Sequence, residues 1–444
     1  MVVLDVTIVN VALSPIAQSF DASLTQLQWI VDSYVLSFAC TLLLAGNLTD
    51  RFGAKNIFVI GLSLFSIASW GCGYAHQANV LSVFRFVQGV GGSCIIPSSL
   101  TLIHQTYAQP HTRMKAIGYW GAVGGIAAAC GPLLGSILIK YWSWPAVFLV
   151  NIPLGIITVT GVLRYLTRVQ PSAKQNQSFD YLGLIVYSIA MGALATSLIE
   201  AGNRGWTSSV SMTGFGIFVL SVFLLLRVES RSPHPMLPLH FFKQRQFVVI
   251  MFAATIINVG FYGELFTLPL YFHQIRHYSI INTGLALLPL TSLVAIASSF
   301  SGHVSSRFGV ERTIIIGLFI TTGGFSSLWW LYHNNAQHYF LQILPLAAVG
   351  FGSAFTVPAL IMSSMHNVLP EYTGLISAVF NTARQIGSLL GVAIFGSILA
   401  STHSLMLGFE LCTLLAGLLF AGLCIFLMFE NRTFKHLNSL QSNA

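Results

Sequence analysis

LQWIVDSYVLSFACTLLLAGNLTDRFGAKNIFVIGLSLFSIASWGCGYA, Leu27 to Ala75, holds two apolar runs, residues 27–46 and 56–75, on either side of a short polar turn. Each run has about the 20 residues that a helix needs to cross a hydrocarbon core roughly 30 Å thick. Of its four charged residues, Asp50, Arg51 and Lys55 sit in the turn, and only Asp32 lies inside a run. Lipid leaves unpaired backbone groups unsatisfied, so a spanning segment must be a helix or part of a closed barrel. A barrel would show alternating segments of about 10 residues, which this stretch lacks.

Outward from this pair the pattern continues. Fourteen spans are read, at residues 2–18, 27–46, 56–75, 79–103, 115–139, 147–166, 181–200, 209–227, 247–271, 284–302, 312–331, 338–361, 374–400 and 406–429. The 444 residues are 55% hydrophobic and 7% charged, whereas soluble chains carry charge on about a quarter of their residues. The fold class is therefore all-α, a polytopic membrane protein with lipid as its solvent.

The net charge of +8 comes from single Lys and Arg residues in the loops and implies no nucleic-acid partner. One set of alternate loops holds Arg51, Lys55, Arg113, Lys115, Arg164, Arg168, Lys174, Arg227, Arg231, Lys243, Arg245, Arg307, Arg312, Arg432 and Lys435; the other holds Lys140, Arg204 and Arg276. Basic loops stay in the cytoplasm. Both chain ends are accordingly expected there.

RVESRSPHPMLPLHFFKQRQ, Arg227 to Gln246, reads as a linker near mid-chain, and TRVQPSAKQNQSFD, Thr167 to Asp180, as a second seam. They divide the chain into a six-helix half (1–166), an inserted helix pair (167–230) and a second six-helix half (231–444). An internal echo supports duplication: GNLTDRFGAKNIFVIGL after the second span resembles GHVSSRFGVERTIIIGL after the tenth, with Asp50 replaced by Ser306. The first span, Val2 to Gln18, covers only about 25 Å and lacks a basic flank, so a natural start upstream of Met1 is expected. Cys40, Cys72, Cys94, Cys130, Cys412 and Cys424 fall inside apolar runs without metal-ligand spacing and read as buried reduced thiols.

LDVTIVNVAL, WIVDSYVL, GNLTDRFGAK, RFVQGVGG, GPLLGS, FLVNIPLG, GLALLPL and GLISAVFNTARQIGSLLGVAIFG follow one another through nearly the whole chain. In this order and spacing the sequence resembles the fourteen-helix drug:proton antiporters of the major facilitator superfamily. The resemblance implies the major facilitator fold and export of small hydrophobic, cationic drugs or biocides by alternating access, in exchange for protons. It implies no cofactor, the proton gradient being the drive. Its partners would be the drug-like substrate, protons and the bilayer, with a periplasmic adaptor and an outer-membrane channel added in a Gram-negative host.

The resemblance makes Gly46, Asp50, Arg51, Gly53 and Lys55 a conformational latch; a solvated turn is the plainer reading. Within the fourth span Arg85, Gln88, Gly89 and Gly92 share one helical face. An arginine at membrane depth costs at least about 2.5–3.5 kcal/mol, so it needs a buried acid or a wet cavity. Asp5 and Asp32 are expected to face it. Burial favours a neutral carboxyl and a nearby guanidinium favours the charged one, so a cavity that opens and closes can move a proton. For Asp5 a permanent pair with Arg85 is the alternative, and for Asp32 an interfacial place on the first turn of its helix. Glu264 is a third intramembrane carboxyl, which could share the proton or attract a cation, against a helix–helix hydrogen bond. Glu200 and Glu410 read as interfacial.

Gly131, Pro132 and Gly135, with Gly121, Gly124 and Gly125, give the fifth span a kink and a small-residue surface. In the family this stretch marks antiporters. Arg384 and Gln385 repeat the buried-arginine theme in the thirteenth span. Tyr34, Trp120, Phe261 and Tyr262 are candidate cavity aromatics. An uptake symporter or an exporter of one metabolite is the alternative function. A membrane-embedded enzyme would need a catalytic cluster at one depth, and the thirteen histidines are scattered; the ATP-binding pattern GxxxxGK[ST] is absent.

Overall fold

The computed structural model describes residues 1–107, 109–166, 180–232, 241–334, 338–365 and 373–442. Residues 167–179 and 233–240 of the two polar connections lie outside the described residues, Arg168 and Lys174 among them. The described residues contain fourteen helices long and apolar enough to span a bilayer. They are α1 Val2–Phe20, α2 Leu24–Phe52, α3 Ala54–Gly73, α4 Ala78–Thr106, α5 Lys115–Trp142, α6 Ala146–Tyr165 and α7 Tyr181–Arg204. After these come α8 Ser209–Glu229, α9 Arg245–Ile275, α10 Ile280–Phe308, α11 Val310–His333, α12 Tyr339–Ser364, α13 Ile376–Ser401 and α14 Leu405–Glu430.

All fourteen expected spans are present, and several run further than the apolar stretches. Caps explain the difference at α2. Its start at Leu24 is fixed by a capping box, in which Ser23 Oγ accepts from the Gln26 amide and Gln26 Oε1 accepts from the Ser23 amide. Its end comes only at Gly53, with φ 88° and ψ 137°, a backbone conformation closed to most L-residues. The polar turn expected between the second and third spans is therefore helical up to one glycine. Gly309, between α10 and α11, has φ 90° and ψ 151°.

The sequence echo is a structural repeat. Helices α2 and α3 pack on α4 as α10 and α11 pack on α12, and α1 packs on α5 as α9 packs on α13. Gly61 of α3 and Gly317 of α11 hold matching places. A Cβ on either would lie 2.9 Å from a carbonyl oxygen of the partner helix, that of Gly91 or of Gly352. Glycine there lets two backbones touch, the contact that helices in lipid use where no hydrophobic effect drives them together.

The first six helices meet the last six chiefly at two seams, α2 with α13 and α5 with α10, and α1 also touches α9. Helices α7 and α8 pack on each other, and α7 also touches both α2 and α13. At the end away from the latch loop the seams are tight. Gln28 Nε2 donates to the carbonyls of Val392 and Ala393 at 3.3 and 3.0 Å, and a Cβ on Gly284 of α10 would meet the Pro132 carbonyl of α5 at 2.6 Å. At the latch-loop end, Gly46 of α2, Gly118, Gly121 and Gly124 of α5, and Gly302 of α10 have open space where a Cβ would stand. The seam helices diverge toward that end, which is also the end rich in Lys and Arg.

Candidate functional site

Arg85 is buried on α4, and five helices supply its surroundings. Its Nη1 donates to Asp5 Oδ2 on α1 and, at 2.6 Å, to Gln88 Oε1, while Nε donates to the Ile30 carbonyl of α2 at 3.1 Å. Gln88 Nε2 donates to Asp5 Oδ1 at 2.9 Å and to Ser69 Oγ of α3 at 2.8 Å. Asn151 Nδ2, from α6, donates to Asp5 Oδ1 at 3.1 Å. The guanidinium carbon lies 4.2 Å from the Tyr34 ring centroid, a cation–π contact. Both oxygens of Asp5 are thus satisfied, which is what makes a buried charge pair tolerable.

Asp32 does not take the place expected for it. The donors of Arg85 go to Asp5, and Asp32 stands in the third turn of α2, since that helix begins at Leu24. It is 0% exposed. Neither of its carboxyl oxygens has a hydrogen-bond partner among the described residues. One turn earlier on the same face, Gln28 bonds across to α13, so Asp32 lies on the face of α2 that closes the seam. An ionised carboxylate with no partner is costly at this depth.

Glu264 of α9 is a second buried carboxyl, with Oε2 unpartnered. Tyr332 Oη on α11 and Gln342 Oε1 on α12 are likewise unpartnered, Gln342 Nε2 donates to Tyr271 Oη at 3.4 Å, and the Tyr271 and Tyr332 ring centroids are 4.7 Å apart. Nearer the span ends, Glu200 pairs with Arg204 at 2.7 Å and Glu410 with His333 at 2.6 Å, as interfacial acids would.

In the Gly46–Lys55 segment Asp50 and Arg51 are exposed on the last turn of α2, and Lys55 Nζ donates to the carbonyl of Leu166 just past the end of α6. In α5, a Cβ on Gly131 would stand 1.9 Å from Thr7 Oγ1 and one on Gly135 2.7 Å from Ile8 Cγ1, so these glycines admit α1. Pro132 lies between them and turns its carbonyl to α10. Of the aromatics, Tyr34 is buried against Arg85. Trp120 is 37% exposed and donates through Nε1 to Ser99 Oγ at 3.2 Å. Phe261 and Tyr262 are half-buried, edge to face at 5.4 Å.

The cysteines form no disulfide, and four are buried as expected; Cys94 is half-buried and Cys130 is exposed. Sequence reasoning missed Asn151, Ser69 and Gln28. Each is a polar residue in an apolar run, and Asn151 stands inside the quoted FLVNIPLG.

The family described as the Major Facilitator Superfamily matches residues 1–392. The methylenomycin A resistance protein of Streptomyces coelicolor is 32% identical over 418 residues, 94% of this chain and 87% of the relative. The multidrug resistance protein Stp of Mycobacterium tuberculosis is 33% identical over 404 residues, 90% and 74% of the two chains. The tetracenomycin C resistance and export protein of Streptomyces glaucescens is 32% identical over 406 residues, again 90% and 74%. Among solved structures, a partially occluded inward-open conformation of the xylose transporter XylE from E. coli aligns with TM-score 0.65 at 13% identity, covering 96% of this chain and 94% of that one. That likeness is one of fold.

Proposed function

The chain belongs to the Major Facilitator Superfamily, and we propose that this multi-pass membrane transporter exports small, hydrophobic, drug-like molecules from the cytoplasm in exchange for protons. Relatives named for resistance and export support the direction of transport. In this reading residues 1–166 and 231–444 are two halves that rock about a central chamber, with residues 167–230 an inserted helix pair. The lysine- and arginine-rich end faces the cytoplasm, both termini included, so the state described is open inward. The membrane is the bacterial cytoplasmic membrane, and in a Gram-negative host an adaptor and outer-membrane channel would carry the substrate onward.

The observation that carries the coupling is the contrast between two buried acids. Asp5 is held by Arg85, Gln88 and Asn151, whereas Asp32 has no partner for either oxygen and lies on the seam that must part when the transporter turns outward. Opening that seam wets Asp32 and closing it dries it. A carboxyl treated so takes up a proton on one side of the cycle and gives it up on the other. Asp5 with Arg85 is then the fixed brace, Glu264 a second candidate carrier, Gly131, Pro132 and Gly135 the hinge of α5, and the Gly46–Lys55 segment the latch.

The test is Asp32→Asn in proteoliposomes. Substrate-induced proton release and efflux against a gradient should both be lost, while passive substrate exchange survives. Full proton-coupled efflux by this variant would move the assignment to Glu264.

A further inference from the structure

We propose that Arg384 of α13 is an anion-binding group in the transport chamber, so that the molecules carried bear an acidic group such as a carboxylate. The proposal rests on the transporter reading above and adds the charge class of the substrate. It departs from the cationic substrates that the sequence resemblance implied.

Four polar residues in the first half of α13 form a stripe. Ser377, Asn381, Arg384 and Ser388 recur at steps of four, three and four, which places them on one helical face. The other faces of α13 are occupied. Ala383 accepts from Thr255 Oγ1 of α9 at 3.2 Å, and Gly387 and Gly391 lie against the carbonyls of Thr255 and Val259 on the same helix. Leu389 packs in the cluster that contains Tyr34 and Val35 of α2, and Ser397 donates to the Leu198 carbonyl of α7. The polar stripe falls between the α9 and α2 contacts, toward the space between the diverging seam helices. Ser377, Asn381 and Arg384 are partly open, and Ser388, one turn deeper toward the closed end, is buried.

Arg384 is under-partnered. Its Nη1 reaches Asn381 Oδ1 at 3.5 Å, its Nε is buried with no acceptor, and no carboxylate among the described residues forms a salt bridge with it. Asn381 Nδ2 is held by the Ser377 carbonyl at 3.0 Å, which fixes Oδ1 toward the guanidinium. Arginine stays charged throughout the working range, and its planar fork matches a carboxylate in two parallel hydrogen bonds. The remaining charged residues deep in the spans, Asp5, Asp32, Arg85 and Glu264, are each at most 1% exposed. Among the described residues Arg384 is therefore the one deep charge open to an entering molecule, and it is positive.

The test uses the full chain in lipid nanodiscs and three probes on one ring system: 2-naphthoate, its methyl ester and 2-naphthylmethylammonium. Equilibrium binding should be tightest for the naphthoate. Arg384→Gln should weaken naphthoate binding about tenfold or more and leave the ester within about twofold, since a charged hydrogen-bond pair is lost only with the first. Arg384→Lys should restore part of the loss. Equal loss for all three probes would mean that Arg384 braces α13, and would overturn the proposal. So would tighter binding of the ammonium, or no measurable binding of naphthoate. Proton coupling is read separately by the Asp32→Asn flux test, so failure of that reading leaves this order of affinities standing.

Discussion

Gln28 of α2 donates its side-chain amide to the Ala393 carbonyl of α13 at 3.0 Å, one turn from Asp32 in the seam. The same amide reaches Val392, so two backbone acceptors on a helix of the opposite half depend on one side chain. Replacing Gln28 by Leu removes this clasp and leaves those carbonyls to their own helix. The closed seam should lose about 1–2 kcal/mol, enough to raise the outward-open population about tenfold. Hydrogen–deuterium exchange at the ends of α2 and α13 beside the seam should quicken; unchanged exchange would mean that apolar packing alone holds the seam.

The brace and the carrier should separate in a stability measurement. Asp5→Asn leaves Arg85 charged and buried without its acid, a loss of about 3–5 kcal/mol in comparable buried pairs. Thermal unfolding in detergent should fall sharply for this variant and recover in part when Arg85→Gln is added. Asp32→Asn removes a carboxyl that has no partner, and its melting temperature should stay at or above that of the parent. Equal destabilisation by the two single variants would remove the distinction on which the coupling assignment stands.

Gly53 and Gly309 carry matching backbone conformations that side chains disfavour, so each should resist Ala in the same measure. A cost of about 1–3 kcal/mol is expected for Gly53→Ala and for Gly309→Ala, read as a fall in thermal stability. If only one of them destabilises, the two turns are not equivalent.

Asp50→Asn should slow transport while membrane insertion and substrate affinity stay near the parent values, because Asp50 stands on the exposed last turn of α2 far from the buried acids. An unaltered transport rate would return the segment to a solvated turn.

Spans and repeats were legible because lipid imposes one rule on every crossing helix, and because Gly46, Gly53 and Gly61 recur as Gly302, Gly309 and Gly317 at the same spacing. Pairing among the charges was only half legible. A lone Arg85 in an apolar run demands an acid, and two acids were on offer in Asp5 and Asp32. Choosing between them depends on which faces α1 and α2 turn to α4, a matter of packing in three dimensions. Asn151 and Gln28 went unnoticed for a related reason. A neutral amide in a span is cheap enough to be passed over, and its worth appears only when the acceptor it meets on another helix is known.

Helix α7 lies against α2 and α13 at once, backing one seam, while among the described residues neither α7 nor α8 packs on the α5–α10 seam. A molecule built so is bound like a book along one edge. When its covers swing, the bound edge must slide a little and the free edge must travel furthest, so the wider mouth opens beside α5 and α10. Greasy cargo dissolved in the surrounding leaflet would find its doorway on that side, and the spine would keep the other side shut to ions.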